Sequence, residues 1–259
     1  MSNKLHTEKN MGILGEIFAS IQGEGPLVGR RQIFIRMAGC DLSCSYCDTA
    51  RFRNHVDECR IETHPGSGRH RLVPNPMSLE EVMEQIYLLR SPGLHSVSIT
   101  GGEPMCQPEF VKALAGACRS SGLKVYLETN GFSAEKFGDL AKVIDFASID
   151  IKLQSHGSCT EDRHQELMEN ELECIRISAL NGIRTIVKMV ILDETEPQEL
   201  EYACSRLQGL DATVVLQPAS GECNPTNLKM LRLQDLASEY LSPENVAVIP
   251  QVHKIMGVS

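Results

Sequence analysis

The stretch Ile33-Phe34-Ile35-Arg36-Met37-Ala38-Gly39-Cys40-Asp41-Leu42-Ser43-Cys44-Ser45-Tyr46-Cys47 runs an apolar segment of strand length into a loop that carries three cysteines. Ile33 to Met37 reads as a β-strand. Beyond it, gaps of three and two residues put the thiols of Cys40, Cys44 and Cys47 on one tight turn. A strand that opens into chemically committed side chains is how parallel α/β folds build sites, because there the loops at the carboxyl ends of strands gather at one mouth.

The pattern repeats along the chain. Ser78 to Leu89 reads as a helix, with Ser78 as N-cap and Glu81 at the capping-box position. Val97 to Thr100 is a short strand entering Gly101-Gly102, and Glu109 to Ser120 is a helix that Gly122 stops. Further strands are expected at Lys124 to Glu128, Phe146 to Ile151, Thr185 to Ile191, Thr213 to Leu216 and Val246 to Ile249. Helices are expected at Ala134 to Leu140, Arg163 to Asn181 and Glu196 to Leu207. Alternation of this kind predicts an α/β fold of about six βα units on a parallel sheet, curled into a full or partial barrel. Four polar clusters, Thr100-Gly-Gly-Glu103, Glu128-Thr-Asn-Gly131, Asp150-Ile-Lys152 and Gln217-Pro218, then share a mouth with the cysteine loop. Residues 51–77 break the rhythm. They hold five arginines and three histidines and read as a long insertion without defensible strand or helix.

Composition narrows the function classes. With 42 % hydrophobic and 23 % charged residues over 259 positions, an ordinary globular chain and a single domain over 1–259 are expected. A net charge of −9 argues against a nucleic-acid partner. No run approaches the roughly 18 apolar residues of a membrane span, and the first residues lack the apolar core of a leader. A cytoplasmic protein with its ten cysteines as thiols or ligands is the expectation.

Several metal centres compete for the cysteine triplet. A structural zinc site wants four ligands, which Cys59 or His64 would have to complete. A ferredoxin-type cluster also wants four cysteines. Three thiolates in this spacing fit a 4Fe-4S cluster with one open iron better, and that iron can chelate the amino and carboxylate groups of S-adenosylmethionine (SAM). The remaining cysteines, Cys223 among them, show no metal spacing and most read as small buried hydrophobes, while Cys106, just after the Gly-Gly-Glu-Pro turn, is expected near the mouth without a role.

The triplet resembles the radical SAM signature, and Thr100-Gly-Gly-Glu-Pro104 resembles that superfamily's Gly-Gly-Glu motif. Glu16-Ile-Phe-Ala-Ser-Ile-Gln-Gly-Glu-Gly25, Phe34-Ile-Arg-Met-Ala-Gly-Cys40, Cys47-Asp-Thr49 and Pro250-Gln-Val-His-Lys254 narrow it. Together they resemble the 7-carboxy-7-deazaguanine synthases, radical SAM lyases of queuosine and archaeosine biosynthesis. The resemblance implies a partial (β/α)6-type barrel with the insertion following the cluster loop. It implies a 4Fe-4S cluster on Cys40, Cys44 and Cys47, SAM and Mg2+ as cofactors, and a 6-carboxytetrahydropterin substrate that loses ammonia as its ring contracts. It also implies an electron donor such as flavodoxin or ferredoxin, and a homodimer.

Carried over position by position, Ile21, Gln22, Gly23, Glu24, Arg36 and Thr100 would meet the substrate. Tyr46, Asp48, Gly102, Glu103, Asp150, Lys152, Gln217 and Pro218 would hold SAM, and Thr49 would bear the magnesium. His253 would orient substrate or carry a proton. The basic insertion reads either as a lid over the anionic substrate or as a packing loop. Two other readings are a glycyl-radical-enzyme activase and an iron-sulfur or zinc regulator with Cys59 as fourth ligand.

Overall fold

The computed structural model describes residues 10–221 and 224–258. Its strands are β1 (Met11–Gly12), β2 (Leu14–Ile21), β3 (Arg31–Met37), β4 (Glu58–Glu62), β5 (His70–Pro74), β6 (Met77–Ser78), β7 (Leu94–Gly101), β8 (Val125–Thr129), β9 (Phe146–Asp150), β10 (Arg184–Ile191), β11 (Thr213–Pro218) and β12 (Val246–Val248). Its helices are α1 (Leu79–Leu89), α2 (Pro108–Ser120), α3 (Ala134–Leu140), α4 (Glu161–Leu180), α5 (Pro197–Leu207), α6 (Asn227–Tyr240) and α7 (Val252–Met256). The expected capping box opens α1: Glu81 N donates to Ser78 Oγ at 3.2 Å and Ser78 N to Glu81 Oε2 at 2.7 Å.

Ten strands form one sheet in the order β12-β11-β10-β9-β8-β7-β3-β2-β4-β5. The segment from β3 to β12 is parallel throughout, and β2 lies antiparallel to β3. The sheet has two edges, so the barrel is partial, as the sequence implied. It is nevertheless strongly curled. Lys188 in the middle of β10 reaches Glu24, just past β2, at 2.9 Å, although four strands separate β10 from β2 in the sheet. Val252 N, at the start of α7, donates to Gly23 O at 2.8 Å and brings the carboxyl-terminal segment across the gap.

Period-two alternation gives each central strand two buried faces. Outward residues such as Ile35, Ile99, Leu127, Ile149 and Met189 join the helices in the main core. Inward residues divide by height. Tyr126, Phe146, Ile186 and Val215 close around Leu27 as an apolar plug. One step along the same strands, Glu128, Ser148, Lys188 and Gln217 form a polar layer, with Ser148 and Gln217 buried and Glu128 and Lys188 half-buried at the cavity. That layer is the floor of the site.

Three sequence expectations change here. Residues 51–77 are not a structureless insertion: β4 and β5 pair antiparallel and extend the sheet beside β2. Only Cys59 and Ile61 in β4 are buried apolar residues, too few for a legible strand pattern. Nor is the segment a lid, since none of its residues lines the main cavity. Strand β2 and helix α6 were not anticipated; β2 carries Gly15 and Glu16 within its run, and α6 is polar over much of its surface. Cys223 and most of the amino-terminal segment lie outside the described residues. Among those described, no helix is long and apolar enough to cross a membrane.

Candidate active site

Strand β3 delivers Cys40, Cys44 and Cys47 to the rim of a cavity of about 440 Å3, and all three line it. Backbone hydrogen bonds hold the loop on both flanks. Gly39 N and Cys40 N donate to Phe52 O and Arg53 O, both at 2.9 Å, while Ser43 N and Ser45 N donate to Ser158 O at 2.9 Å and His156 O at 3.0 Å. Asn130 Nδ2 reaches Asp41 Oδ1 at 3.0 Å. Burial, with Glu103 and Asp41 nearby, pushes the Cys40 thiol up to about 11, so an unliganded Cys40 is a neutral thiol and a cationic metal must supply the drive to ionise it. Among the described residues no three His, Cys, Asp or Glu converge as a single ion requires. Cys59 is fully buried in the main core and does not line the cavity, which removes it as a fourth ligand.

The Gly-Gly-Glu turn sits against this loop. Gly101 takes a φ of +119°, and Gly102 packs so closely that a Cβ there would overlap the Gly39 carbonyl oxygen. Glu103 N donates back to Gly39 O at 2.6 Å. The Glu103 side chain is buried and accepts three hydrogen bonds, from Met105 N at 2.8 Å and from Thr129 Oγ1 and Asn130 N at 2.7 Å. Burial raises its pKa to about 7 against the pull of those donors. Glu103 therefore ties the β7 and β8 loops together besides facing the cavity. In Glu103→Gln one amide N–H confronts a backbone or hydroxyl donor. A loss of about 1–3 kcal/mol in denaturant stability is expected, the cost of an unmet buried donor; an unchanged midpoint would refute the tie.

Across the floor, charges alternate. Glu24 accepts from Lys188 Nζ at 2.9 Å and Gln251 Nε2 at 2.7 Å. Lys188 also lies 3.3 Å from Asp150, which pairs with Lys152 at 2.6 Å. Lys152 in turn donates to Tyr46 Oη at 3.2 Å. Burial opposes every one of these charges, yet the partners win: Glu24 and Asp150 stay below the usual carboxylate range and both lysines stay above theirs. Glu128 is the exception. It accepts from Gln22 Nε2 at 2.9 Å, Ser98 Oγ at 3.2 Å and Thr100 Oγ1 at 3.2 Å, with no cation in hydrogen-bond contact among the described residues, and burial raises its pKa.

The expected site residues largely meet here. Ile21, Gln22, Gly23, Glu24, Arg36, Tyr46, Asp48, Thr49, Thr100, Gly102, Glu103, Asp150, Lys152, Gln217 and His253 line the cavity with the three cysteines. Pro218 does not; it ends β11, so its side chain falls on the opposite face from Gln217. Gln22 is committed within the protein. Its amide donates to Gln32 and Glu128 and its oxygen accepts from Glu24 N, so it fixes Glu24 and Glu128 in place. His253 is half-buried, its pKa lowered mainly by burial, and its ring lies against the Gly23 backbone where any Cβ would collide. Glu128 and Asn130 lie at the mouth as their cluster Glu128-Thr-Asn-Gly131 implied, though no role was given to them, whereas Lys188 and Gln251 were not expected as site residues. For Lys188 the signal was present: Ile186, Lys188 and Val190 share one face of β10, so a lone lysine there points inward.

The radical SAM superfamily model matches residues 34–207. A 7-carboxy-7-deazaguanine synthase from Thermococcus kodakarensis is 38 % identical over 253 residues, covering 95 % of this chain and 98 % of that one. The enzyme of that name from Geobacter sulfurreducens is 38 % identical over 256 residues, 94 % and 96 % of the two chains. Among solved structures, QueE from Escherichia coli superposes with a TM-score of 0.60 at 18 % identity over 96 % of this chain and 98 % of its own. A radical SAM methyltransferase from Sphaerobacter thermophilus gives 0.61 at 16 % identity over 85 % of this chain and 66 % of its own. At that divergence the two structures speak for the fold alone, whereas the curated relatives match along nearly their whole length. On these matches the chain belongs to the 7-carboxy-7-deazaguanine synthase family of the radical SAM superfamily.

Proposed function

We propose that this cavity converts 6-carboxy-5,6,7,8-tetrahydropterin to 7-carboxy-7-deazaguanine with loss of ammonia, a step of 7-deazapurine biosynthesis. The observation that carries the reading is one cavity in which three thiols at the rim stand over a floor of largely screened, alternating charge. The donor set fits the family's cofactors: three part-exposed thiols face the cavity, and the buried Gln217 Oε1 beside it has no hydrogen-bond partner among the described residues. When bound, a 4Fe-4S cluster on Cys40, Cys44 and Cys47, with SAM at its open iron, supplies a 5′-deoxyadenosyl radical on one-electron reduction.

The chain's own groups do the rest. Glu103 and the exposed backbone of Gly101-Gly102 take the methionine ammonium of SAM. Tyr46 packs on Val190, Leu192 and Ala219, an apolar wall suited to the adenosine, with Lys152 and Asp150 beneath it. Glu24, a carboxylate held ionised by Lys188, takes the donor pair on the pterin's guanidine-like edge. Arg36 takes the substrate carboxylate. Thr49 Oγ1, next to Cys47, would offer a hard oxygen to Mg2+, which would supply a cationic partner for the substrate carboxylate. Gln251 and His253 on the carboxyl-terminal segment close the mouth and limit water. This closure favours a small substrate over the protein substrate of an activase.

A protein reductant of the flavodoxin or ferredoxin class would approach the part-exposed cysteine loop. Leu228 and Leu231, 58 % and 60 % exposed and one turn apart on α6, support association with a second copy. Anaerobically reconstituted protein given SAM, dithionite, Mg2+ and the carboxypterin is expected to develop deazapurine absorbance without matching SAM consumption. Cluster assembly without product would reject the substrate. Cys59→Ser is expected to keep the cluster, and its loss there would revive a four-ligand centre.

A further inference from the structure

Glu16 stands in β2 between two arginines fixed by strand register. Arg36 of β3 faces it from one side and Arg60 of β4 from the other. Arg51, at the start of the inserted segment, supplies a third guanidinium. The register shifts between Leu14 and Glu16, and there the Phe52 ring lies against Gly15, so tightly that a Cβ at Gly15 would collide with it. That contact fixes the backbone next to Arg51.

The three arginines do not share Glu16 equally. Oε1 accepts from Arg51 Nη2 and Arg60 Nη1, both at 2.8 Å. Oε2 lies 3.4 Å from Arg36 Nε, an ion-pair distance, and that nitrogen is buried with no hydrogen-bond partner among the described residues. Arg36 rests instead over the Phe18 ring, 5.3 Å from its centroid, with Phe18 stacked on Phe34 at 5.1 Å. Arg36 lines the cavity; Glu16, Arg51 and Arg60 do not. A buried carboxylate beside a single arginine takes up a bidentate pairing with it. Here both inserted arginines take Oε1, and Arg36 keeps only a 3.4 Å ion pair through Nε to Oε2.

We propose that Glu16, Arg51 and Arg60 form a positioning unit that sets affinity for the substrate carboxylate: the two inserted arginines engage Glu16 and thereby keep Arg36 available to the cavity. The inserted segment then acts on the substrate from behind the sheet. This rests on the reading above that Arg36 takes that carboxylate.

The test is a cycle on the cluster-loaded enzyme, read by steady-state kinetics and by calorimetric binding of the carboxypterin. In Arg51→Ala/Arg60→Ala the freed Glu16 captures Arg36. KM and Kd for the carboxypterin are expected to rise roughly tenfold, the worth of one charge-assisted hydrogen bond. The kcat is expected to stay within about twofold and SAM affinity to be unchanged. Arg51→Ala alone should shift KM in the same direction by less. Adding Glu16→Gln to the double variant removes the competing charge and is expected to return KM to within about threefold of wild type, a restoration that a merely structural loss would not give.

An unchanged KM in the double variant, or a defect that Glu16→Gln deepens, overturns the proposal. Arg36→Met separates the two layers. If it leaves carboxypterin affinity intact, the reading of Arg36 fails and the positioning unit with it. If it weakens affinity while Arg51→Ala/Arg60→Ala does not, only the positioning unit fails.

Discussion

Lys188→Met is expected to destabilise the protein by about 3–5 kcal/mol at neutral pH, the usual cost of stripping one partner from buried charges. Lys188 touches Glu24 at 2.9 Å and Asp150 at 3.3 Å, and its charge also acts on Glu128. Asp150 keeps Lys152, and Glu24 keeps the Gln251 amide, so Glu24 loses its only salt-bridge partner among the described residues. In the wild type, Glu24 has a folded pKa below its unfolded one. Its stabilisation is present above the unfolded value and is lost as pH falls through the folded value. In the variant, burial is no longer offset and the folded pKa moves above the unfolded one. The deficit is therefore largest at neutral pH and shrinks as acid protonates Glu24. Turnover should fall by about 10²-fold or more, as for an ångström-scale displacement of binding groups. Denaturant melts at pH 5 and pH 8 with turnover at pH 8 check both effects. An equal deficit at the two pH values would show that Lys188 fills space rather than neutralises charge.

Gly102→Ala should disable the cofactor site while leaving the sheet intact. The added methyl would meet the Gly39 carbonyl and the Phe52 carbonyl, backbone atoms that cannot rotate away. Gly39 precedes Cys40 and accepts Glu103 N, so the cysteine loop must shift or the Gly-Gly-Glu turn must open. About 1–3 kcal/mol of stability is expected to go, the range for overpacking. The sharper readout is iron per chain after reconstitution, together with SAM affinity. Both should drop, with the far-ultraviolet circular dichroism spectrum unchanged. Full iron loading and native SAM affinity would mean that the close approach of the two loops is not needed.

Much of the architecture was legible because each central strand is a short apolar run followed by polar residues that have no business in a core. Thr100-Gly-Gly-Glu103 and Asp150-Ile-Lys152 announced strand ends, and both line the cavity. Interior charge was harder to read. Glu128 stood in a cluster expected at the mouth, but Lys188 sits inside a strand, where a charge in sequence reads as an exposed face; in the fold both are half-buried. They are tolerated because residues far away in sequence reach them: Gln22 lies 106 positions from Glu128, and Glu24 lies 164 from Lys188. The inserted segment misled for the opposite reason. Its arginines suggested a surface facing an anion, and the anion that Arg51 and Arg60 face is Glu16 in the adjacent strand.

The sequence by itself determined the alternation of the central parallel strands with their helices, the cysteine loop with its open-iron logic, and the family, because these depend on residues within a few positions of one another. Only the tertiary structure decided which charges neutralise which, where the inserted strands dock, and that Gln22 braces the floor. Those outcomes depend on how far the sheet curls. Its curl brings β2 within reach of β10, and in a buried, poorly screened interior a contact of about 3 Å decides whether a charged side chain is held or expelled.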